Sequence, residues 1–578
     1  MASIQPKIVN GRKYWQIVSS QRINGKPRPV VLEHLGTADS LLKKLNKKNH
    51  GEIKLKSYSH GLIVSLLKIT QDLDLVSIIN KHVKSQRKYF SDMLIRRGFT
   101  VGSFILFATL GRICEPSSKR AWSNWAKRTS LPTLLKINIS KVDCQDFWDT
   151  MDCVPEDKID DIGFDILEKI REKYIIKTDT LFYDTTNFFT FIASTNKRCT
   201  IAQRGKNKQK RTDLRQFGLA MTVSKNDYIP IFHDIYKGNR NDSPVFIENV
   251  DKLVNRLDKL KMNKKKHTLV FDRGCNSKKN LTYIEKEKKL FYIGALSPCY
   301  HADLINDADG NYEKIKLKNQ VLYIYRDKRV VWGQKRTVIV FVSDKLKAGQ
   351  VREIKNIIDK CDKDLDELHI ALQGKKCKQN NRYKLLKKID GIISNPKIED
   401  VFSYTLSKKK NQPYQIKYQI NDDAIERIEE KFGFRIIMTN RHNWSSKDII
   451  EAYHGQSIVE NAFKNIKNPS HISMRPNFHW TDHKIKVHAF SCVLGYTLTM
   501  LIWKTIREST HYKGNLDNLL DTLSNVRLAS IITTEKKKIK LKHQLEEMDD
   551  EELQFMNALS VIDSHKRKMK IDGISVYK

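Results

Sequence analysis

The order of short apolar runs between residues 176 and 295 constrains the fold more than any other feature of the chain. These runs predict strands at about 181–183, 217–223, 229–236, 267–271 and 291–295, with helices at about 244–260 and 277–288. The element order is strand, strand, strand, helix, strand, helix, strand. Strands that come first and then alternate with helices predict a mixed sheet covered by helices.

This order is similar to that of the ribonuclease H fold, which needs one more helix after its fifth strand. Residues 296–435 intervene as a long mixed insertion, with strand-like runs at 321–325, 330–332 and 338–342 and a charged helical stretch at 346–390. The missing helix is predicted at 446–467, where Ser445 offers a hydroxyl N-cap and Asp448 an acidic first turn. We therefore expect an α/β ribonuclease H-like core that is interrupted by an insertion before its last helix.

Six parts are predicted along the chain. A hairpin signal across Asn24-Gly25 gives an N-terminal β unit, 1–56, and helical apolar spacing gives a helical DNA-binding domain, 57–175. The core occupies 176–295 and 436–507, the insertion occupies 296–435, and a basic helical C-terminal region covers 508–578.

The charge of the chain indicates its partner. Its 578 residues contain 105 Lys+Arg against 66 Asp+Glu, a formal net charge of +39. Such a surplus repels itself unless something anionic lies along the surface, so nucleic acid is the expected partner and an acidic membrane face a distant second. A merely basic soluble enzyme is the alternative. The 40% of hydrophobic residues excludes global disorder.

Cysteines and apolar stretches point to an intracellular protein without a membrane segment. The nine cysteines contain no CxxC half-site, which argues against structural zinc and fits reduced thiols in a cytosol. The stretch 487–503 falls short of the ~20 apolar residues of a membrane span, so a buried core helix is predicted.

Three carboxylates occupy places suited to metal-dependent chemistry. Asp184 ends the first predicted sheet strand, Asp272 ends the fourth, and Glu460 lies on the late helix. Neighbouring strands lie ~4.8 Å apart, so the two aspartates can share a site if their strands are neighbours. Clustered carboxylates repel one another unless cations neutralise them, and their oxygens suit two Mg²⁺ ions, or Mn²⁺, for phosphoryl transfer. A single Asp at a strand end is more often only a turn residue.

The helix around Glu460 divides into two faces. The side chains within ~40° of Glu460 are polar, and those of the other face are apolar. The polar set is Tyr453, Gln456, Lys464 and Lys467, and the apolar set is Val459, Ala462, Phe463 and Ile466. Lys467 lies ~10.5 Å along the axis from Glu460, at a distance suited to a phosphate beside the metal site. A solvated amphipathic face is the alternative interpretation.

A basic segment joins the first two predicted sheet strands. Its cationic residues are Arg204, Lys206, Lys208, Lys210, Arg211 and Arg215. The segment should lie near the catalytic edge, where it would contact DNA phosphates; a plain solvated loop is the alternative.

Three motifs together resemble a known family. Asp184-Thr185-Thr186, Asp272-Arg273-Gly274 and the spacing Tyr453-x2-Gln456-x3-Glu460-x6-Lys467 are similar to the motifs of DDE transposases of bacterial and archaeal insertion sequences. The subgroup with a Y-x2-R-x3-E-x6-K signature and an insertion before the glutamate is the most similar. The resemblance extends to segments 14–36, 204–242 and 475–488.

The resemblance implies a ribonuclease H-like core with two divalent metals, cleavage at the terminal repeats of a mobile element and transfer of the freed 3′-hydroxyl into target DNA. It implies that Asp184, Asp272 and Glu460 bind metal and that Tyr453 and Lys467 contact double-stranded transposon-end DNA. Arg273, Gln456 and Lys464 join the predicted DNA contacts. It also implies a homodimer that pairs two ends, acting in a prokaryotic cytoplasm and associated with the nucleoid when bound.

Gln456 departs from the family pattern, which has arginine at that position. Glutamine keeps hydrogen-bonding capacity but loses the charge and the bidentate grip on a phosphate. Two alternatives to an active transposase therefore remain: a catalytically silent descendant that only binds DNA, and a ribonuclease H-like nuclease that cuts without strand transfer.

Overall fold

The computed structural model of the protein describes most of the chain. The described residues are 2–10, 12–23, 26–40, 53–83, 95–207, 209–262, 266–317, 320–374, 381–409, 412–475, 477–535, 538–571 and 574. The chain divides into two compact units: Met1–Pro155 with Pro469–Pro476 and Leu501–Lys578, and Glu156–Asn468 with Asn477–Met500.

Four strands begin the described N-terminal part, and two short strands lie among the helices that follow. The strands are β1 Ala2–Val9, β2 Arg12–Ile23, β3 Lys26–Gly36, β4 Ile53–Ser59, β5 Ile95–Arg96 and β6 Phe99–Thr100. The helices are α1 Gly61–Asp72, α2 Leu75–Lys81, α3 Val101–Cys114, α4 Trp122–Ala126, α5 Leu131–Leu135 and α6 Cys144–Cys153. The predicted pairing of β2 with β3 is antiparallel as expected, while the turn Asn24-Gly25 lies outside the described residues.

The middle of the chain follows the predicted element order. It contains α7 Ile159–Lys173, β7 Thr180–Thr190, β8 Arg215–Ser224, β9 Pro230–Lys237, α8 Asp242–Lys259, β10 Thr268–Phe271, α9 Lys278–Thr282 and β11 Phe291–Leu296. The second predicted helix, 277–288, is α-helical only to Thr282 and continues as a π-helical turn over Tyr283–Glu287.

The insertion is richer in strands than predicted. It contains α10 Ala302–Ala308, β12 Glu313–Leu317, β13 Gln320–Val331, β14 Gln334–Val342, α11 Asp344–Gln373, α12 Arg382–Ile393, β15 Phe402–Lys408, β16 Tyr414–Ile420, α13 Asp422–Glu429 and β17 Phe434–Thr439. The predicted strands 321–325 and 330–332 form one strand, β13, and the prediction missed β12, β15, β16 and β17.

The last part contains α14 Ser446–His454, α15 Ser457–Lys467, α16 Asp482–Ser509, α17 Leu516–Asn525, β18 Arg527–Glu535, β19 Lys538–Leu545 and α18 Asp550–Ala558. The predicted helix 446–467 is thus two helices, although the Ser445 hydroxyl accepts the Asp448 N–H at 3.1 Å, as an N-cap should. By length and composition α16 is apolar enough to cross a membrane, yet 94% of its most apolar window is buried within the protein. The prediction of a core helix is confirmed.

The predicted basic helical C-terminal region contains two strands beside its helices. β18 pairs antiparallel with both β19 and β4. β18 contains Ile531, Ile532 and Thr533, β-branched residues that favour a pleated strand. Its partner β4 lies more than 460 residues earlier in the chain, so local periodicity carries little sign of the pairing.

A nine-stranded mixed sheet forms the centre of the second unit. Its order is β12-β13-β14-β17-β11-β10-β7-β8-β9. β10 runs parallel to both β7 and β11, whereas the other neighbours pair antiparallel. The predicted mixed sheet is confirmed, and four strands of the insertion extend it beyond β11. One face packs against α8 through Tyr183, Phe246 and Phe271, all buried.

Candidate active site

Asp184 and Asp272 are neighbours across a pair of parallel strands. The last residues paired between β7 and β10 are Tyr183 and Phe271, so the two aspartates follow at the same level. Adjacent strands lie ~4.8 Å apart, which brings both residues to one edge of the β10 pairing. The predicted adjacency of these two strands is confirmed.

The prediction that Asp184 ends its strand was wrong. β7 continues to Thr190 and stays paired with β8, where Asp184 lies opposite Met221. β10 instead stops at Phe271, so β7 loses its neighbour on that side at Asp184. Asp184 is half-buried and Asp272 is exposed. Among the described residues, β7 therefore has no paired strand on this side beside Asp184.

Local hydrogen bonds orient both carboxylates. The Thr185 N–H donates to Asp184 Oδ1 at 2.7 Å, and the Arg273 N–H donates to Asp272 Oδ1 at 2.7 Å. Each bond engages one carboxylate oxygen with the amide of the next residue. The two aspartates thus turn toward their own following amides in the same way.

Helix α15 runs along the face of β7 that carries Asp184. A Cβ atom on Gly455, just before α15, would lie 2.4 Å from Phe182 Cζ. At the other end, Lys467 Nζ donates to Thr186 Oγ1 and lies 5.1 Å from the centroid of the Phe188 ring. Residues at alternate positions of a strand share a face, so Asp184 lies on the face that α15 covers.

Glu460 lies between these two contacts along the helix, as Asp184 does along the strand. From Gly455 to Glu460 the helix rises ~7.5 Å, and from Phe182 to Asp184 the strand rises ~6.6 Å. Glu460 is exposed, whereas Val459, Ala462, Phe463 and Ile466 are buried. The predicted apolar face of this helix is therefore confirmed.

In the described residues, the carboxylates of the site do not form a complete set of metal ligands. Across the described ranges, no three side chains of the His, Cys, Asp or Glu type are grouped so that they could hold a metal. The donor chemistry nevertheless fits a hard divalent cation, since Asp184 and Asp272 offer carboxylate oxygens side by side at an open edge. Glu460 approaches on the same face but does not complete a three-residue group.

A fourth acidic residue, Asp242, lies next to this edge. Asp242 begins α8, and its Oδ1 accepts the Thr185 hydroxyl at 2.9 Å. The buried Cys275 lies near Asp242, Asp184 and Asp272. Burial raises the pKa of its thiol, and the charges of the three carboxylates raise it further. Three carboxylates therefore lie near one another here, and a bound cation would offset their charge. Sequence reasoning missed Asp242 as a site residue.

Tyr453 lies beside Asp272. Burial raises the pKa of the Tyr453 hydroxyl, and the charge of Asp272 raises it further, whereas Arg435 and Arg273 act in the opposite direction. Arg435 belongs to β17, and its hydrogen bond to the Tyr453 hydroxyl is one of these opposing effects. Arg435 was also missed, because the sequence predicted no strand around it.

The polar atoms of Gln456 are buried, whereas a residue that contacts DNA at the surface would expose them. Its side-chain oxygen and nitrogen are both buried, and neither has a hydrogen-bond partner in the described part of the chain. The residue sits at the junction of α14 and α15, where the backbone stays helical. Lys464 on the same helix is exposed.

The basic connection between β7 and β8 is only partly available to DNA. Arg204, Lys206 and Lys210 are exposed, and Lys208 lies outside the described residues. Arg211 forms a two-pronged ion pair with Asp213, at 2.8 and 2.7 Å. Arg215 donates to the main-chain carbonyls of Ala193, Asn196, Cys199 and Ala202. Arg215 thus stabilises the connection, contrary to its predicted role as a phosphate contact.

The fold and site define a mixed α/β protein with an acidic edge. A family model described as "Transposase DDE domain" matches residues 189–477, half of the chain. The chain therefore belongs to the DDE transposase family, whose partner is DNA. The matched range contains Asp272 and Glu460 and begins five residues after Asp184.

The solved structures that are similar to the chain include a transposase complex. It is a cryo-EM structure of a piggyBac transposase synaptic complex with hairpin DNA, 9% identical, with a TM-score of 0.36, covering 81% of this chain and 79% of that one. A search of curated proteins gave no match.

Proposed function

We propose that this protein is the transposase of a prokaryotic insertion sequence of the Y-x2-R-x3-E-x6-K subgroup. It binds the terminal inverted repeats, cleaves the DNA ends and joins the 3′-hydroxyls to target DNA by phosphoryl transfer. The observation that carries the proposal is the register that sets Asp184 beside Asp272 where β10 ends. Paired carboxylates at an open edge suit metal-dependent cleavage of a phosphodiester.

The sheet order supports a ribonuclease H-like core. Along one half of the sheet the order is β11-β10-β7-β8-β9, which places the first core strand in the centre, between the second and the fourth. The late helix α15 then returns to the first strand after the insertion. This arrangement agrees with the element order on which the sequence prediction of the fold rests.

Asp184 and Asp272 are the proposed principal metal ligands, and Glu460 is the proposed third. Bound at this edge, two Mg²⁺ ions, or Mn²⁺ in their place, supply activation of the attacking oxygen and stabilisation of the leaving one. The protein's own contribution is to hold the carboxylates in register and to keep the edge open to DNA. The nearby charges of Asp242, Asp184 and Asp272, which raise the pKa of Cys275, support cation binding here.

Several side chains around the carboxylates are the proposed DNA contacts. Arg273 is exposed directly after Asp272, and Tyr453 lies beside the same carboxylate. Lys467 is held at Thr186, two residues beyond Asp184. Lys464, Arg204, Lys206 and Lys210 are exposed and can bind phosphates, as would Lys208; Arg211 would first have to leave Asp213.

Gln456 is proposed to contact DNA only after its segment opens. A buried polar group without a partner costs about 1–3 kcal/mol, so its amide gains from any ligand that supplies hydrogen bonds. The protein is further proposed to act in the cytoplasm, at the nucleoid, as a homodimer that pairs two ends.

The test is cleavage of the DNA that flanks the gene. The parent protein is expected to nick the inverted repeats only with Mg²⁺ or Mn²⁺, and the Asp184→Asn, Asp272→Asn and Glu460→Gln proteins should bind the same DNA without nicking it. Equal nicking by the three variants would overturn the assignment of the metal site.

A second candidate function, a DNA-binding descendant without catalysis, is favoured by Gln456. It predicts binding to the repeats with no nicking by the parent, even in Mn²⁺. Cleavage of DNA that lacks terminal repeats, without strand transfer, would instead indicate a ribonuclease H-like nuclease.

A further inference from the structure

Two segments of the second unit form a hydrogen-bonded loop pair, defined as residues 191–204 and 477–482. The Asn196 side chain donates to the Trp480 carbonyl at 3.2 Å. Asp482 accepts the main-chain N–H groups of Thr200 at 2.7 Å and Ile201 at 3.0 Å, and also the Thr200 hydroxyl at 2.6 Å. Burial opposes ionisation of Asp482, but these bonds prevail and lower its pKa.

Arg215 also stabilises the first segment by hydrogen bonds. Its guanidinium donates to four main-chain carbonyls of residues 193–202. Hydrogen bonds from a charged donor are stronger than those between neutral groups. Hydrogen bonds from Arg215 and to Asp482 therefore hold the first segment in one conformation in this structure.

Three large aromatic side chains project from this surface. Phe191 is 84% exposed, Phe478 is 69% exposed and Trp480 is 63% exposed. His479, between the last two, is buried, so the second segment alternates its side chains outward and inward. All three belong to the two segments that these hydrogen bonds join, and exposed apolar patches of this kind mark binding sites.

Positively charged side chains on the first segment indicate an anionic ligand. Lys197, Arg198 and Arg204 are exposed on the first segment. The Arg204 guanidinium donates to the Ser194 hydroxyl at 3.1 Å, and its charge also acts on the Asp213 carboxyl, whose pKa it helps to lower. Aromatic faces set among cations bind single-stranded nucleic acid, because bases stack on the rings while cations hold the phosphates. An apolar protein partner would not need the cations.

We propose that the loop pair binds unpaired DNA bases by stacking on Phe191 and Trp480. This inference rests on the proposed function and adds a place where the DNA duplex is opened. Phe191 is the first residue after β7, and six residues of strand separate Asp184 from Thr190, a rise of about 20 Å.

The test compares binding of a labelled oligothymidine single strand and of the corresponding adenine–thymine duplex by the full chain. The variant is Phe191→Ala with Trp480→Ala, and the control is Ile175→Ala. Ile175 is also 84% exposed but is not aromatic, and it precedes β7 where Phe191 follows it. The double variant should bind the single strand at least about tenfold more weakly. Duplex binding should change less than about twofold and keep its salt dependence, because no phosphate contact is removed.

A rescue variant separates stacking from misfolding. Phe191→Trp with native Trp480 should keep parental affinity for the single strand, and all variants should melt at the parental temperature. Unchanged single-strand affinity in the double variant would overturn the proposal, as would an equal loss for single strand and duplex or an equal loss in Ile175→Ala. Altered sedimentation with unchanged single-strand binding would also overturn it, by assigning the surface to a second copy of the chain.

These binding measurements do not depend on DNA cleavage, so they still test the stacking proposal if the protein is catalytically inactive. If the parent nicks the repeats while the double variant keeps its single-strand affinity, only the stacking proposal fails. If the parent does not nick but the double variant loses single-strand affinity alone, only the catalytic proposal fails.

Discussion

The two halves of β7 differ in their neighbours. Thr180–Tyr183 pair with β8 on one side and β10 on the other, and all four residues are buried. Asp184–Asn187 remain paired with β8 but lie beyond the end of β10, and all four are half-buried. The closed half holds the sheet together, and the open half presents polar side chains. The proposed chemistry therefore lies where β7 continues beyond the end of β10.

Removing a charge from the open half should have the largest effect. Asp184→Asn keeps the shape of the side chain but removes one proposed metal ligand. DNA nicking should fall by about 10³-fold or more, because metal ions supply several kcal/mol of transition-state stabilisation. The thermal melting temperature should not fall. A variant that melts as the parent does and nicks as fast would remove the distinction between the two halves.

Truncation in the closed half should damage the fold and leave the chemistry intact. Phe182→Ala deletes a fully buried ring and should lower the free energy of unfolding by about 3–5 kcal/mol. Urea denaturation measures this loss, and nicking per folded molecule should match the parent. Phe191→Ala, at an exposed position, is the control and should change stability by less than about 0.5 kcal/mol. Similar losses in both variants would contradict the comparison.

The approach of α15 to β7 can be tested with a single methyl group. A Cβ atom on Gly455 would lie 2.4 Å from Phe182 Cζ, so Gly455→Ala should destabilise the protein by about 1–3 kcal/mol. Gly391→Ala on α12 is the matched control, because nothing lies within 4 Å of its added Cβ. That control should stabilise by about 0.5–1 kcal/mol, since glycine is unfavourable inside a helix. Equal effects in urea denaturation would show that α15 does not press on the closed half.

The smallest expected effect concerns the connection that leaves the open half. The hydrogen bond from Arg211 holds the pKa of the Asp213 carboxyl at about 2. Because this pKa lies below the unfolded value, the pair's contribution is present above about pH 4 and is lost as the pH falls toward 2. An NMR titration should place the Asp213 carboxyl near this value and show a higher pKa in Arg211→Gln. An unchanged pKa in the variant would mean that the ion pair does not form in solution.

Local patterns predicted β7 to β11 because each strand is a short apolar run with turn residues around it. The same patterns were insufficient for β17 and for the pairing of β18 with β4, because these partners lie far away along the chain. Ile437 of β17 pairs with both Ala295 and Ile339, and Leu528 of β18 pairs with Tyr58. Such pairings depend on tertiary context and leave little trace in local periodicity.

Motif spacing predicted which acidic residues lie near one another, but it did not predict their surroundings. It found Asp184 and Asp272, and it indicated the packed face of the helix around Glu460. It missed Asp242 and Arg435, which reach the edge from α8 and β17 through the packing of the sheet. It also treated Arg215 as a DNA contact, although main-chain carbonyls already occupy its guanidinium.

The central claim is that Asp184 and Asp272 share one divalent-cation site at the open end of β10. Iron-mediated backbone cleavage tests it directly: Fe²⁺ replaces Mg²⁺, and radicals formed with ascorbate and peroxide cut the chain beside the bound ion. The account predicts cuts near residues 184 and 272 together, suppressed by excess Mg²⁺ and lost at both places in Asp184→Asn. Cuts at only one of the two places, or cuts that persist in that variant, would contradict it.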